Sequence, residues 1–192
     1  MRHAYPIKIH GLYIAPEHRV FGKNQEDVSG RDLQSKSEVT LIANTGIEGD
    51  RFCRLRPDYN GHVTFFSQEV WDEVAKSLNL PETMGPEVTR RNIIISGVDL
   101  KALYGSSFTI SSSFDSGSNQ DIQFLGTVHC SPCPAMNRAI GEGATRALRS
   151  RGGLRAQLKS NGLLRVGPAE LLTDGAFKPE NAALQIDQPK LP

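Results

Sequence analysis

The run Leu154-Arg155-Ala156-Gln157-Leu158-Lys159-Ser160-Asn161-Gly162-Leu163-Leu164-Arg165-Val166 decides the fold class. Two strand-like stretches, Leu154 to Lys159 and Leu163 to Val166, flank Asn161-Gly162. Asn-Gly in that setting is the strongest short-range hairpin signal, because both residues tolerate the positive φ that a tight I′ turn demands. The expectation is an antiparallel hairpin turning at Asn161-Gly162.

Working outward, further short strands precede it. Ile122 to Cys130 and Ser107 to Ser111 read as strands around a serine- and glycine-rich hairpin loop, Ser112 to Asn119. Asn92 to Ser96 reads as a buried strand, and His62 to Phe66 and Glu38 to Ala43 are β-branched or aromatic runs. The last of these leads into Thr45-Gly46-Ile47-Glu48-Gly49-Asp50-Arg51, whose two glycines mark a tight turn. Ile7 to Ala15 alternates up to Pro16 and is the first strand; residues 16–37 and 53–60 are polar and read as loops. Ser67 can cap a helix of about three turns in which Val70, Val74 and Leu78 recur beside Trp71, with Pro81 as the stop. Leu100, Leu103 and Tyr104 suggest a short helical turn. After Pro134, the residues Met136, Ile140, Ala144 and Leu148 form an every-fourth pattern that Gly141 and Gly143 interrupt, giving one helix or two short ones. There is no internal repeat and no regular βα alternation. The expected class is therefore mainly β with flanking helices, an antiparallel or mixed β-barrel or sandwich.

A chain of 192 residues suits a single domain. Its core is expected over about residues 8–172, with a Pro-, Asn- and Gln-rich tail, 174–192, loosely attached. Twenty-two basic and 21 acidic residues leave a net charge of +1, which argues against a general nucleic-acid binder but leaves room for a local basic pocket. No apolar run approaches the ~20 residues that cross a bilayer, and Met1-Arg2-His3-Ala4-Tyr5-Pro6 has no apolar leader, so the expectation is a cytoplasmic protein without a membrane partner.

Three clusters carry chemistry. Cys130-Ser131-Pro132-Cys133 joins a strand to a helix start, where a thiolate at Cys133 would be favoured and could meet a soft metal. The bland alternative is a pair of unreactive buried thiols. Thr89-Arg90-Arg91-Asn92 puts two arginines on opposite faces of an extended chain, so that one could face a pocket and fork onto a phosphate; solvated arginines are the ordinary alternative. Arg149-Ser150-Arg151-Gly152-Gly153-Leu154-Arg155 could cradle an anion on exposed N–H groups, or be an ordinary helix-to-strand connector. Asp50 is a weaker fourth candidate, since Gly-Asp-Arg is more often a turn with a local ion pair. A zinc site from Cys130, Cys133 and two of Cys53, His62 and His129 is conceivable, though the usual second Cys/His pair is missing.

The order of these motifs is more telling than any one of them. Gly46-Ile47-Glu48-Gly49-Asp50-Arg51 precedes Val63-Thr64-Phe65-Phe66-Ser67-Gln68-Glu69, Arg90-Arg91-Asn92-Ile93-Ile94-Ile95-Ser96-Gly97, Cys130-Ser131-Pro132-Cys133-Pro134-Ala135-Met136 and Arg151-Gly152-Gly153-Leu154-Arg155. In this order the chain resembles the stand-alone bacterial branch of the MOSC domain, the family named for the C-terminal domain of molybdenum-cofactor sulfurases, over roughly residues 8–172. The resemblance implies a closed or nearly closed MOSC-type β-barrel with flanking helices. It implies binding of the molybdenum cofactor (molybdopterin), with Cys133 as the metal ligand or as a persulfide-carrying, catalytic cysteine. It also implies Arg91, Asn92, Arg151 and Gly153, with Asp50 nearby, as the residues around the pterin and its phosphate. One departure is Gly167-Pro168, where the family usually has Gly-Asp.

Two classes of function follow. One is a molybdenum-dependent oxidoreductase of N-hydroxylated small molecules, or a sulfur carrier in cofactor sulfuration. Three cysteines cannot hold a four-thiolate iron–sulfur cluster, so a separate electron-donor protein would be needed, or a cysteine desulfurase for the sulfur role. No lysine-bearing pyridoxal-phosphate domain is recognisable. The other class is a non-catalytic cofactor- or anion-binding module, or a zinc or dithiol protein built on Cys130 and Cys133.

Overall fold

The computed structural model describes residues 2–16, 33–56, 59–113 and 119–176. Seven strands close a barrel in the order β11 (Gly167–Thr173), β7 (Ser107–Ser113), β8 (Asn119–His129), β9 (Leu154–Leu158), β5 (Val63–Ser67), β6 (Ile93–Ser96) and β1 (His3–Ile14), with β1 pairing back onto β11. Neighbouring barrel strands are antiparallel except β5 and β6. That pair is parallel because helix α1 (Gln68–Ser77) and a 3-10 turn (Pro86–Thr89) carry the chain over the outside between them.

Alternation fills the barrel. Val63, Phe65, Ile93, Ile95, Phe108, Ile110, Ile122, Phe124, Leu154, Ala156 and Leu158 belong to one buried cluster. At its centre Phe65 stands edge-on to Phe124 (5.2 Å, 82°), and Phe124 stacks on Phe108 (5.3 Å). Strands β5 and β6 are apolar on both faces, since Phe66 and Ile94 point outward into a second cluster. There they meet Val70, Trp71 and Val74 of α1, together with Met136, Ile140, Ala144 and Leu148. Those four lie on and beside two short helices, α2 (Ala135–Ala139) and α3 (Ala144–Ala147). Gly141 (φ 144°) and Gly143 (φ 88°) break the helix between them while the buried stripe continues. The Ser67 hydroxyl accepts the Val70 N–H at 3.1 Å, which is the cap expected for α1. Among the described residues no helix is long and apolar enough to cross a membrane.

Several expectations need correction. Leu154–Leu158 and the stretch after Gly162 do not pair with each other. Strand β9 lies between β8 and β5, whereas β10 (Gly162–Arg165) joins β3 (Glu38–Ile42) and β4 (Gly46–Ile47) in a separate three-stranded sheet. Neither Asn161 nor Gly162 has the positive φ of a I′ turn. Instead the Asn161 side-chain oxygen accepts the Ala43 N–H at 2.8 Å, and the Lys159 N–H donates to the Gln123 carbonyl at 2.8 Å. The chain is thus kept on β8 and then led outward to β3. Within 16–37, Gln34–Lys36 forms a short strand, β2, on β1, and residues 17–32 lie outside the described residues. Strands β7 and β8 pair as far as Ser113 and Asn119, as the hairpin reading requires, with 114–118 outside the described residues. So is most of the tail, 177–192.

Because Phe65 is fully buried against two other rings, Phe65→Ala should cost about 3–5 kcal/mol in urea unfolding. Ser67→Ala, which removes only a cap, should cost about 1 kcal/mol. Equal losses for the two would contradict this account of the core.

Candidate functional site

At one end of the barrel four backbone segments converge: the exit of β8 at His129-Cys130, Gly152-Gly153 ahead of β9, Arg91-Asn92 ahead of β6, and the loop after β4. Arg91 joins three of them. Its Nε donates to the Gly152 carbonyl (3.0 Å), Nη1 to that of Thr89 (2.7 Å) and Nη2 to that of Cys130 (3.3 Å). It can do so because Arg90, at φ 57°, ends the 3-10 turn in the left-handed region and turns the chain inward. The two arginines are therefore not on an extended segment, and Arg91 is 9% exposed with its fork spent on carbonyls.

The glycines are set by close backbone approach. A Cβ on Gly152 would lie 2.4 Å from the Cys130 carbonyl oxygen, and one on Gly153 (φ 110°) 2.2 Å from that of Phe65. The Gly152 N–H donates to His129 Nε2 at 3.0 Å, and the Cys130 N–H to the Gly153 carbonyl at 2.8 Å. The Gly152 N–H is thus already engaged inside the fold. Burial, with Arg91 and Lys101 nearby, lowers the His129 pKa.

Asp50 and Asn92 form a second knot. One Asp50 oxygen accepts the Ala15 N–H (3.0 Å) and the Asn92 amide (3.1 Å), and the other accepts the Phe52 N–H (3.0 Å). The Asn92 amide also donates to the Tyr13 carbonyl (3.1 Å), while its oxygen accepts the Thr64 N–H (3.1 Å) and hydroxyl (2.8 Å). Every donor and acceptor of the Asn92 side chain is used. Arg151 joins helices instead, with Nη1 on Glu73 of α1 at 2.7 Å and Nε on the Ala147 carbonyl at 2.9 Å.

Of the residues singled out in the sequence, Asp50, Arg91, Asn92 and Arg151 are thus engaged with the fold itself, and Gly153 is a packing glycine. Cys133 differs. It is half-buried at the edge of the helical cluster, and its carbonyl accepts the Met136 N–H (2.9 Å) and the Thr145 hydroxyl (3.2 Å). Helix α2 has only five residues, so its dipole contributes little at Cys133. Cys130 is buried, 4% exposed. The Tyr104 hydroxyl lies near it, its pKa pushed up to about 12 by burial first and then by Asp99 and Cys130. Among the described residues no three His, Cys, Asp or Glu side chains converge to hold a metal ion. The zinc set of Cys130 and Cys133 with two of Cys53, His62 and His129 is therefore not brought together among the described residues, and the His62 ring is engaged by the Arg56 carbonyl (3.2 Å) and the Leu158 N–H (3.4 Å).

Sequence reading took Arg155 as one end of the arginine-flanked glycine segment and passed over Tyr59. Alternation on β9 puts Leu154 and Ala156 inside the barrel, and hence Arg155 outside, in register with Thr64 and Val128. There it meets the Tyr59 hydroxyl at 3.0 Å.

Two outcomes test this geometry. Asp50→Ala leaves three donors unmatched and should destabilise the fold by about 3 kcal/mol or more in urea unfolding, without exposing a new charge. For His129 the folded pKa lies below the unfolded one, so the unfolded chain binds more protons between the two. Stability should therefore fall as pH drops from about 7 to 5, and His129→Gln should flatten that part of the profile. A profile unchanged by the substitution would contradict the acceptor role at Gly152.

Comparison with known proteins agrees with this architecture. No curated protein matches the sequence. The YuaD protein of Bacillus subtilis is similar in fold, with 19% identity and a TM-score of 0.67, covering 91% of this chain and all (100%) of that one. YiiM of Escherichia coli has 18% identity and a TM-score of 0.54, covering 98% of this chain and 79% of that one. A crystal structure described only as a hypothetical protein has 16% identity and a TM-score of 0.58, over 98% and 76%. A family model described as the MOSC domain matches residues 48–169, from the Asp50 turn through the cysteine loop to β11, and the chain belongs to the MOSC domain family.

Proposed function

We propose that this chain binds the molybdenum cofactor beside the Cys130–Cys133 loop, with Cys133 as the thiol that meets the metal. The observation that carries the reading is the contrast between the two cysteines. Cys130 is buried in the barrel end, whereas Cys133 is only partly buried at the edge of the helical cluster and is held by its carbonyl. A thiolate there is a soft donor of the kind a heavy, thiophilic metal takes.

At the metal end the reading rests on one partly buried thiol, that of Cys133. Arg91, Asn92, Asp50 and Arg151 have polar atoms engaged within the fold: Arg91 holds the cysteine loop, Asp50 and Asn92 hold the loop after β4, and Arg151 ties Glu73 of α1 to the Ala147 carbonyl. Arg91 fixes the Cys130 carbonyl, three residues before Cys133, and His129 fixes Gly152 behind Pro132. When bound, the cofactor would supply a metal centre able to take oxygen from an N-hydroxylated small molecule. The protein's part is to position one thiol and to keep the loop from collapsing onto it.

Turnover would need electrons from a separate protein, because three cysteines cannot furnish a four-thiolate cluster. The same partly buried cysteine would also suit a persulfide delivered by a cysteine desulfurase, which makes sulfur transfer the second form of the reading.

The test is metal and pterin content per chain after expression in a host that makes the cofactor. Wild type should carry molybdenum and pterin, Cys133→Ala should lose both, and Cys130→Ala should keep most of each. Zinc lost equally from the two variants would sink the molybdenum reading. So would a protein that takes up neither metal nor pterin when offered the cofactor.

A further inference from the structure

We propose that Ser96 and His10, on the outer face of the barrel beside the first turn of α1, form a second reactive site, with Ser96 as a nucleophile for small activated acyl esters and His10 as its base. The inference does not rest on the cofactor reading.

The first observation is the pair itself. His10 Nε2 lies 2.7 Å from Ser96 Oγ, at the short end of the hydrogen-bonding range. The ladder of β1 on β6 already joins their strands, so the bond is not needed to hold the sheet. Strand β1 also departs from regularity here. Ile9 pairs with Ile95 and Gly11 with Ile94, which makes His10 the extra residue of a β-bulge. Bulges of this kind re-aim a side chain, and the ring reaches Ser96, the last residue of β6. Both residues are half-buried, so a small molecule can approach the hydroxyl.

The second is the setting of the serine. Gly97, at φ 97°, turns the chain directly after Ser96, and a Cβ on it would lie 2.6 Å from the Pro6 carbonyl oxygen. The Gly97 N–H donates to Glu69 Oε1 at 2.7 Å, and Glu69 Oε2 accepts the Ser67 hydroxyl at 2.6 Å. Ser96 is thus held by the ladder before it and by a tied turn after it. Among the described residues its hydroxyl is bonded to His10 alone.

The third is protonation. Burial first, and then Lys8, lower the His10 pKa, with Glu69 and Asp72 pulling the other way. The ring is therefore neutral at pH 7 and can take the serine proton, and the two carboxylates favour the imidazolium that results. Lys8 lies opposite Ser96 in the ladder, which places an ammonium on the same face as an oxyanion formed there. A second serine–histidine pair, Ser131 Oγ with His129 Nδ1 at 3.2 Å, lacks this property. His129 Nε2 accepts the Gly152 N–H, so the proton of the neutral ring sits on Nδ1, which donates to Ser131 and cannot be its base.

In the reaction a bond forms between Ser96 Oγ and the acyl carbon as the bond to the leaving oxygen breaks. The hydroxyl proton passes to His10 Nε2 and from there to the leaving group. Water then attacks the acyl-serine with the same ring as base, releasing a carboxylic acid and restoring Ser96. Lys8 is exposed and so a modest oxyanion partner, and the site therefore calls for a good leaving group such as an aryl oxide.

The experiment uses the full chain without cofactor and p-nitrophenyl acetate as the probe. Nitrophenolate release is followed by absorbance, and the acetylated residue is mapped by mass spectrometry after an acid quench. Wild type should carry acetyl on Ser96, and the rate should rise with pH to a plateau reached by about pH 7, where His10 is already deprotonated. Ser96→Ala should lower the rate about tenfold or more. His10→Gln leaves Ser96 a hydrogen-bonding partner but no base, and it should lower the rate as much and remove the plateau. Lys8→Gln should lower it about twofold to threefold, and Ser131→Ala should change it less than about twofold. If Ser96→Ala does not fold, as judged by circular dichroism, His10→Gln and the pH profile decide. Acetyl found only on cysteines or lysines would overturn the proposal, as would a wild-type rate that climbs without a plateau to about pH 9. Equal losses for Ser96→Ala and Ser131→Ala would overturn it too.

Discussion

Arg91 gathers three carbonyls from segments that are far apart in sequence, and the end of the barrel depends on that gathering. The Thr89, Cys130 and Gly152 oxygens belong to the lead-in to β6, the exit of β8 and the lead-in to β9. These strands have finished or not yet begun their ladders, so the oxygens would otherwise be left buried without donors. The Cys130 N–H donating to Gly153 and the Gly152 N–H donating to His129 complete the set. A charged donor serving several neutral acceptors strengthens each of those bonds. The cost is strict space, which is why residues 152 and 153 carry no side chain.

From that fixed point the placing of the cysteine loop follows. Cys130 is bound through both its N–H and its carbonyl, so its thiol lies where the barrel wall puts it. Cys133 lies beyond Pro132, where the chain leaves this network and is next held by Met136 and Thr145 through the carbonyl alone. The Asp50–Asn92–Thr64 knot does the corresponding work for the loop after β4. It pins the start of that loop to β1, β5 and β6 and leaves the arginines beyond it on a firm base. Loops that carry chemistry on rigid barrels are commonly arranged this way.

Much of the fold was legible because it rests on local signals. Alternation in β7, β8 and β9, the Ser67 cap and the interrupting Gly141 and Gly143 each report on neighbours within a few residues. Asn161-Gly162 misled because its local chemistry suits two outcomes. The same amide that could shape a tight turn instead captures the Ala43 N–H, 118 residues away. The candidate site divides along the same line. Positions 50, 91, 92 and 151 were singled out by their place in the order of motifs, but the partner of the Arg91 Nε is the carbonyl of Gly152, 61 residues away. Arg155 was accessible to the alternation argument. What gives it interest is Tyr59, 96 residues away.

Polar groups at this end of the molecule thus fall into two kinds, and burial alone does not separate them. Asn92 and Arg91 are buried and saturated, so removing either leaves orphaned backbone groups, and the damage would appear as instability. Arg155 and Cys133 are only partly buried, the first bonded to the Tyr59 hydroxyl and the second packed at the edge of the helical cluster. The saturated residues hold Cys130, Gly152 and the Asp50 turn in place, so the chain on either side of the cysteine loop is fixed by bonds that do not involve the Cys133 thiol.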